Sequence, residues 1–141
     1  MVNVSLDKQL MIVVENQVGM LAEITEIIST SEINMIAICA YAVENKGVVM
    51  LVTSDNIRVK RLLTAQKYIV REEEIILLTI ENKPGALQSI TKRLADTGID
   101  IRLIYGSVDL ESNVSRLILV SDFNDSVVTA IKGLASSSMN N

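Results

Sequence analysis

Glu15-Asn16-Gln17-Val18-Gly19-Met20-Leu21 returns as Glu81-Asn82-Lys83-Pro84-Gly85-Ala86-Leu87, an offset of 66 residues. At that offset the match continues through Ile24/Ile90, Thr25/Thr91, Ile33/Ile99 and Ile38/Ile104, so that eight of the 24 positions from Glu15 to Ile38 are identical. A pattern repeated at one fixed spacing folds as repeated units. In a chain of 141 residues this means two modules of about 70 residues each, a size at which one core is barely sufficient. The repeat predicts two similar domains, residues 1–72 and 73–141. Each is expected to share apolar surface with the other or with a second chain.

The core available to such modules is aliphatic, because hydrophobic residues make up 49% of the chain while aromatics make up 3% and Trp is missing. That composition also narrows the partners. A net charge of −4 gives no basic face for nucleic acid, and the scarcity of aromatics leaves little on which bases can stack. The chain has no His, the commonest general base and metal ligand, and no clear carboxylate pair, so neither catalysis nor a metal or other cofactor is expected. The single cysteine, Cys39, cannot form an internal disulfide and suits a reducing cytoplasm. It lies between Ile38 and Ala40 and reads as a small core residue. No secretory leader and no apolar run long enough to span a membrane are expected.

Along the chain, Leu10 to Val14 reads as a buried strand. Leu21, Ile24, Ile27 and Ile28 follow at helical spacing. Ile33 to Val43 and Val48 to Thr53 read as a hairpin around Glu44-Asn45-Lys46-Gly47. A second helix, capped by Ser54 or Asp55, carries Ile57, Val59, Leu62 and Leu63, and Tyr68 to Val70 is a short strand. Arg71-Glu72-Glu73-Glu74 reads as a tiny linker with a solvated acidic turn. The second half repeats the order with a strand over 75–80, a helix through Leu87, Ile90 and Leu94, strands from Ile99 to Tyr105 and Val114 to Val120, and a last helix capped by Asn124 or Asp125. The order strand–helix–strand–strand–helix–strand is the ferredoxin-like arrangement. The fold class is therefore α+β, two βαββαβ units with antiparallel sheets and helices on one face. After Leu134 no strand pattern remains, so the second unit is expected to lack its last strand. The alternating Val2-Asn3-Val4-Ser5-Leu6 can fill that place, in the same chain or a neighbour.

Each half places Glu-Asn-x-x-Gly-x-Leu between its first strand and first helix. Unpaired N–H groups and a positive dipole end make a helix start favourable for an anion. Glycine allows close approach to the backbone, and Asn16 and Asn82 offer both donors and acceptors. Such a corner suits the carboxylate of a small metabolite, with Asn taking its ammonium. The simpler alternative is a strand-to-helix turn that needs a glycine, and duplication copies structural residues as readily as functional ones.

This ordered set, Asn-x-x/Pro-Gly-x-Leu, a helix, then Ile33-Asn34 or Ile99-Asp100 in a βαββαβ unit, resembles the ACT domain over residues 9–133. That family comprises regulatory modules on enzymes of amino-acid metabolism and free-standing tandem proteins. The resemblance implies amino-acid binding at an interface between paired domains, where the loop after the first strand meets the start of the second strand of the partner. Carried over, the ligand-binding residues are Asn16, Gln17, Val18, Gly19, Met20 and Leu21 with Asn34, and Asn82, Lys83, Gly85, Ala86 and Leu87 with Asp100. Some serine-binding relatives carry His two residues before the loop Asn, and here Val14 and Ile80 stand there. Val18 replaces the usual Pro and gains an N–H, and Asp100 disfavours a second carboxylate, so the first copy is favoured for a ligand carboxylate. The implied function is a non-catalytic, allosteric amino-acid sensor, a homodimer acting on a metabolic enzyme. The alternative is an oligomerisation or protein-interaction module that regulates a partner enzyme without a metabolite.

Overall fold

The computed structural model describes residues 2–139. Its elements in chain order are β1 (Val2–Glu15), α1 (Met20–Thr30), β2 (Met35–Val43), β3 (Lys46–Thr53), α2 (Asn56–Ala65), β4 (Val70–Glu81), α3 (Ala86–Asp96), β5 (Leu103–Asp109), β6 (Val114–Val120) and α4 (Asn124–Met139). They form two compact units. The first is Lys8–Glu73, and the second joins Met1–Asp7 to Glu74–Asn141. Each is an α+β unit of the expected ferredoxin-like kind.

In the first unit the strand order is β2-β3-β1-β4. β1 and β3 pair antiparallel from Leu10↔Leu51 to Glu15↔Lys46, and β2 pairs with β3 from Met35↔Thr53 to Val43↔Lys46. Side chains alternate across a strand. Leu10 and Ile12 of β1 and Val49 and Leu51 of β3 therefore share the face on which Ile24 and Ile28 of α1 and Val59 and Leu63 of α2 pack. Both helices lie on that side. The intervening residues Met11, Val13, Val48 and Met50, with Cys39 and Tyr41 opposite them on β2, point the other way. Cys39 is thus a half-buried residue of the helix-free face and not part of the core.

In the second unit the order is β1-β4-β6-β5. Ile76, Leu78, Ile80 and Leu119 face Ile90 and Leu94 of α3 and Val127 and Ile131 of α4. The place of the missing last strand is taken by the chain's own start. Val2 and Val4 pack against this core, as their alternation requires. Where the repeat suggested a division at 72/73, residues 1–7 belong with the second half, because the unpaired edge of β4 needs a strand beside it.

Three local expectations are corrected. Arg71 to Glu74 is not a turn but lies inside β4. Its carboxylates find partners that hold it extended. Lys8 Nζ lies 3.6 Å from Glu72, and Gln9 Nε2 donates to Glu73 at 3.5 Å. The strand expected over Ile99 to Tyr105 begins only at Leu103, since Ile99 and Ile101 turn into the core instead. Asp55 caps α2 as expected, its carboxylate accepting from Arg58 N at 3.1 Å. Neither Asn124 nor Asp125 occupies the corresponding place in α4. Phe123 O receives Val127 N, which makes Phe123 the cap residue, and its side chain cannot accept a hydrogen bond.

Asn124 is instead one of a matched pair that ties each second helix to its unit's first strand. Asn56 Oδ1 accepts from Thr53 N at 2.9 Å, and its Nδ2 donates to Lys8 O at 2.9 Å. Asn124 Oδ1 accepts from Ser121 N at 2.9 Å, and its Nδ2 donates to Glu74 O at 3.1 Å. Asn124 is buried, so an Asn124→Ala variant leaves partners without compensation. We expect it to cost about 1–3 kcal/mol, read as a shift in the denaturation midpoint, whereas the exposed Ser126→Ala should change nothing measurable.

Candidate functional site

Both copies of the repeated loop adopt one geometry. After β1, the N–H of Asn16 donates to Asn45 O at 2.8 Å, which fixes the loop to the tip of the β2–β3 hairpin. After β4, the N–H of Asn82 donates to Asn113 O at 2.9 Å, and Asn82 Nδ2 donates to Asn113 Oδ1 at 3.2 Å. Gly19 and Gly85 then take φ of 88° and 86° as the cap residues of α1 and α3. This left-handed conformation is what glycine supplies. Space is not the reason, since a Cβ at either position would meet nothing within 4 Å.

No side chain caps α1 or α3. The carbonyls of Gly19 and Gly85 engage the N–H groups of Glu23 and Ser89, and the loop turns through Met20 N to Gln17 O and Ala86 N to Lys83 O. The N–H groups of Leu21 and Ala22, and of Leu87 and Gln88, have no capping partner among the described residues. They form the positive end of an eleven-residue helix in each unit. The chemistry offered is therefore a pair of backbone donors beside an asparagine, open to solvent.

The expected site residues divide in position. Asn16, Gln17, Val18, Gly19 and Leu21 are exposed on the first loop, with Val18 free of any cover. Met20 turns inward against the core, and its Cε would lie 3.0 Å from a Cβ on Gly47. A side chain at 47 would press on the end of Met20, which would have to shift by a few tenths of an ångström. On the second loop Lys83 pairs with Glu81 at 3.2 Å, Gly85 and Leu87 are exposed, and Asn82 and Ala86 are half-buried. Beside this loop, the hydroxyl of Ser112 and the backbone N–H groups of Glu111 and Ser112 hold the Asp109 carboxyl below the usual aspartate range.

Neither Asn34 nor Asp100 stands beside the loop of its own unit. Asn34 N donates to Ser54 Oγ at 3.1 Å, and Asn34 O accepts from Ser54 N at 2.9 Å. It therefore lies at the Met35↔Thr53 end of the β2–β3 hairpin, while the Asn16 loop lies at the Val43↔Lys46 end. Eight strand residues, roughly 26 Å, separate the two ends. Asp100 stands likewise beyond the Leu103↔Val120 end of β5 and β6. Within one unit the two halves of the expected site face away from each other.

A groove of about 730 Å³ opens elsewhere, between the end of α3 and the start of α4, lined by Arg93, Thr97, Phe123, Asp125, Ser126 and Thr129 among others. None of the expected loop residues reaches it. In the first unit Arg58 stands where Ser126 does here, and it reaches Ser31 O at 3.2 Å.

Among curated protein sequences, none matches this chain significantly. Solved structures do. Protein BT0572 from Bacteroides thetaiotaomicron superposes with a TM-score of 0.88 at 25% identity, over 94% of this chain and 90% of that one. The ligand-free regulatory subunit of aspartate kinase from Thermus thermophilus superposes with a TM-score of 0.66 at 15% identity, covering 93% and 96%. Aspartokinase III of E. coli, in complex with lysine and aspartate, gives 0.52 at 19% identity, over 89% of this chain and 31% of that one. The model of the ACT domain pair matches residues 5–132. A span that takes in both loops, both uncapped helices and every strand but the first three residues of β1 leaves no ambiguity about kinship, and the chain belongs to the ACT domain pair family.

Proposed function

We propose that this protein is a cytoplasmic, non-catalytic regulator that binds a small amino acid at its repeated loops. The observation that carries this reading is the pair of helix starts at Gly19 and Gly85, each with open backbone donors and an asparagine alongside. The α-carboxylate sits on the N–H groups of Leu21 and Ala22, where it meets the helix dipole. The asparagine and a second group take the ammonium. That second group is Asn34 or Asp100, and because each lies at the far end of its own unit, it comes from another unit set head to tail against the loop. We place that unit in a second copy of the chain, so the ligand binds the dimer and favours it.

The surface that such pairing needs is present twice. Leu21 and Ile38 in the first unit, and Leu87 and Ile104 in the second, are identical across the repeat, yet each is 39–40% exposed. Large apolar side chains kept at the surface in both copies suit an interface better than a core. The regulatory subunit of aspartate kinase from Thermus thermophilus shares this fold, and a metabolic enzyme is the partner whose activity the ligand state would control.

Thermal melts with a panel of amino acids at millimolar concentration test the reading. A ligand present at about 100 times its Kd adds about 2.7 kcal/mol and raises Tm by several degrees. A panel in which no amino acid moves Tm leaves the module as a protein-interaction domain only.

A further inference from the structure

We propose that the helix-free face of the first unit's sheet is an interface with a second copy of this chain, the two sheets stacked about a twofold axis running along the strands between β1 and β3. The two units provide an internal comparison. On the helix-free face of the first, the residues toward the hairpin end are Val13 of β1, Val48 of β3, and Tyr41 and Val43 of β2. Their counterparts in the second unit are Thr79, Arg116, Ser107 and Asp109. Toward the hairpin end one fold thus carries apolar rows in one copy and polar rows in the other, while the next row, Met11, Met50 and Cys39 against Leu77, Ile118 and Tyr105, is apolar in both. Val13 is 44% exposed, Tyr41 48% and Val43 57%. An exposed apolar patch of this kind, present at the hairpin end of one of two equivalent faces, marks a contact surface.

The occupant follows from charge and register. β1 and β3 are antiparallel neighbours with Met11↔Met50, Val13↔Val48 and Glu15↔Lys46 in register. Glu15 and Lys46 form an ion pair at the rim of the patch, both more than half exposed. A twofold axis along the strands exchanges the two columns. It lays Val13 over the partner's Val48, Met11 over the partner's Met50, and Glu15 over the partner's Lys46. The face is its own complement in shape and in charge, as an isologous contact requires. Beyond these columns, Arg71 of β4, whose Nη2 lies 3.6 Å from Met11 Sδ, falls toward the partner's Cys39–Tyr41 row, where a guanidinium meets an aromatic face favourably. Sheets stacked in this way lie about 10 Å apart with their strands nearly aligned. The same operation on the second unit would bury Arg116 against Thr79. Four strands and five residues give a footprint of roughly 300 Å², below the ~800 Å² per partner of stable complexes, so association is reversible.

Sedimentation velocity of the full chain across 1–500 µM (about that range, at low salt so that exposed charges act) tests the interface. Val13→Glu should weaken association at least tenfold, and Arg116→Glu, the matched change on the second unit, should not. Glu15→Lys and Lys46→Glu should each associate weakly alone, since like charges then face across the axis. Their equimolar mixture should recover association, because each copy now faces its opposite. Melting curves establish that every variant is folded, and Tyr41→Ser, which copies Ser107, serves if Val13→Glu is not. Recovery on mixing supports the stacked dimer. Three results overturn it: a wild type that stays monomeric throughout, in which case a different protein covers this face; association indifferent to Val13→Glu and Tyr41→Ser, in which case copies meet elsewhere; or no gain on mixing.

Discussion

Deletion of residues 2–7 should unfold the second unit's sheet edge while leaving the first unit's core in place. Those residues stand beside β4 where the unit has no strand of its own, and they bring Val2 and Val4 onto its core. Losing two half-buried valines, at about 1 kcal/mol each, and several ladder hydrogen bonds, at about 1 kcal/mol each, removes on the order of 5 kcal/mol. A domain with 5–15 kcal/mol in all cannot absorb that unnoticed. The bared edge of β4 also carries Ile76, Leu78 and Ile80, and a long apolar edge invites pairing with other chains. Hydrogen exchange is expected to show fast exchange through β4 and β6 in the truncated chain, with Leu51 and Val49 still protected. Unchanged protection of β4 would show that the first strand is not what closes this unit.

The second large effect is expected at Gly106. A Cβ built there would lie 2.2 Å from Arg116 O and 2.9 Å from Leu117 Cα. Both are backbone atoms of the paired strand, so no side-chain rotation relieves the clash. The glycine's φ is not in the left-handed region, and its role is to let β5 and β6 approach closely. Gly106→Ala should therefore prise β5 from β6 at the Gly106↔Leu117 pair, at a cost of about 3 kcal/mol. The repeat supplies a control, because Ala40 occupies the same place opposite Val49 in the first unit. Ala40→Gly should cost only about 0.5–1 kcal/mol. Equal and small losses at both positions would mean that the close approach at Gly106 is not required.

Much of this architecture is legible in the residues. The alternation of Leu10 and Ile12, the helical spacing of Ile24 and Ile28, and the repeat itself lead to two ferredoxin-like units. The spare alternating stretch at Val2 and the absence of a strand after Leu134 together foretell the borrowed strand. What escapes a linear reading has physical causes. Arg71 to Glu74 looks like a solvated turn because its partners, Lys8 and Gln9, lie more than 60 residues away. The Asn56 and Asn124 ties are invisible at a fixed offset of 66. The β2–β3 turn has two residues between Val43 and Lys46, while the β5–β6 turn has four between Asp109 and Val114, so the repeat continues at 68. Phe123 displaces the expected cap of α4 because Asn124 is already committed to Ser121 and Glu74.

The loop geometry follows from the residues themselves, whereas completion of the site by a partner is implied only by the family resemblance. The loops form the corners that their glycines and asparagines imply. Met20 is the exception, drawn into the core over Gly47. Residue spacing alone does not reveal that Asn34 and Asp100 stand a strand's length from the loops of their own units. That separation is what makes a second unit necessary to the proposed site, and it joins ligand binding to assembly.

Backbone amide spectra of the isotope-labelled protein, titrated with the amino acid that most raises Tm, test that central claim most directly. On binding, the amides of Val18, Gly19, Leu21 and Ala22 should shift together with Asn34 or Asp100, in step with growth of the dimer. Shifts confined to the groove between α3 and α4, or loop shifts without any change at Asn34 and Asp100, would contradict it.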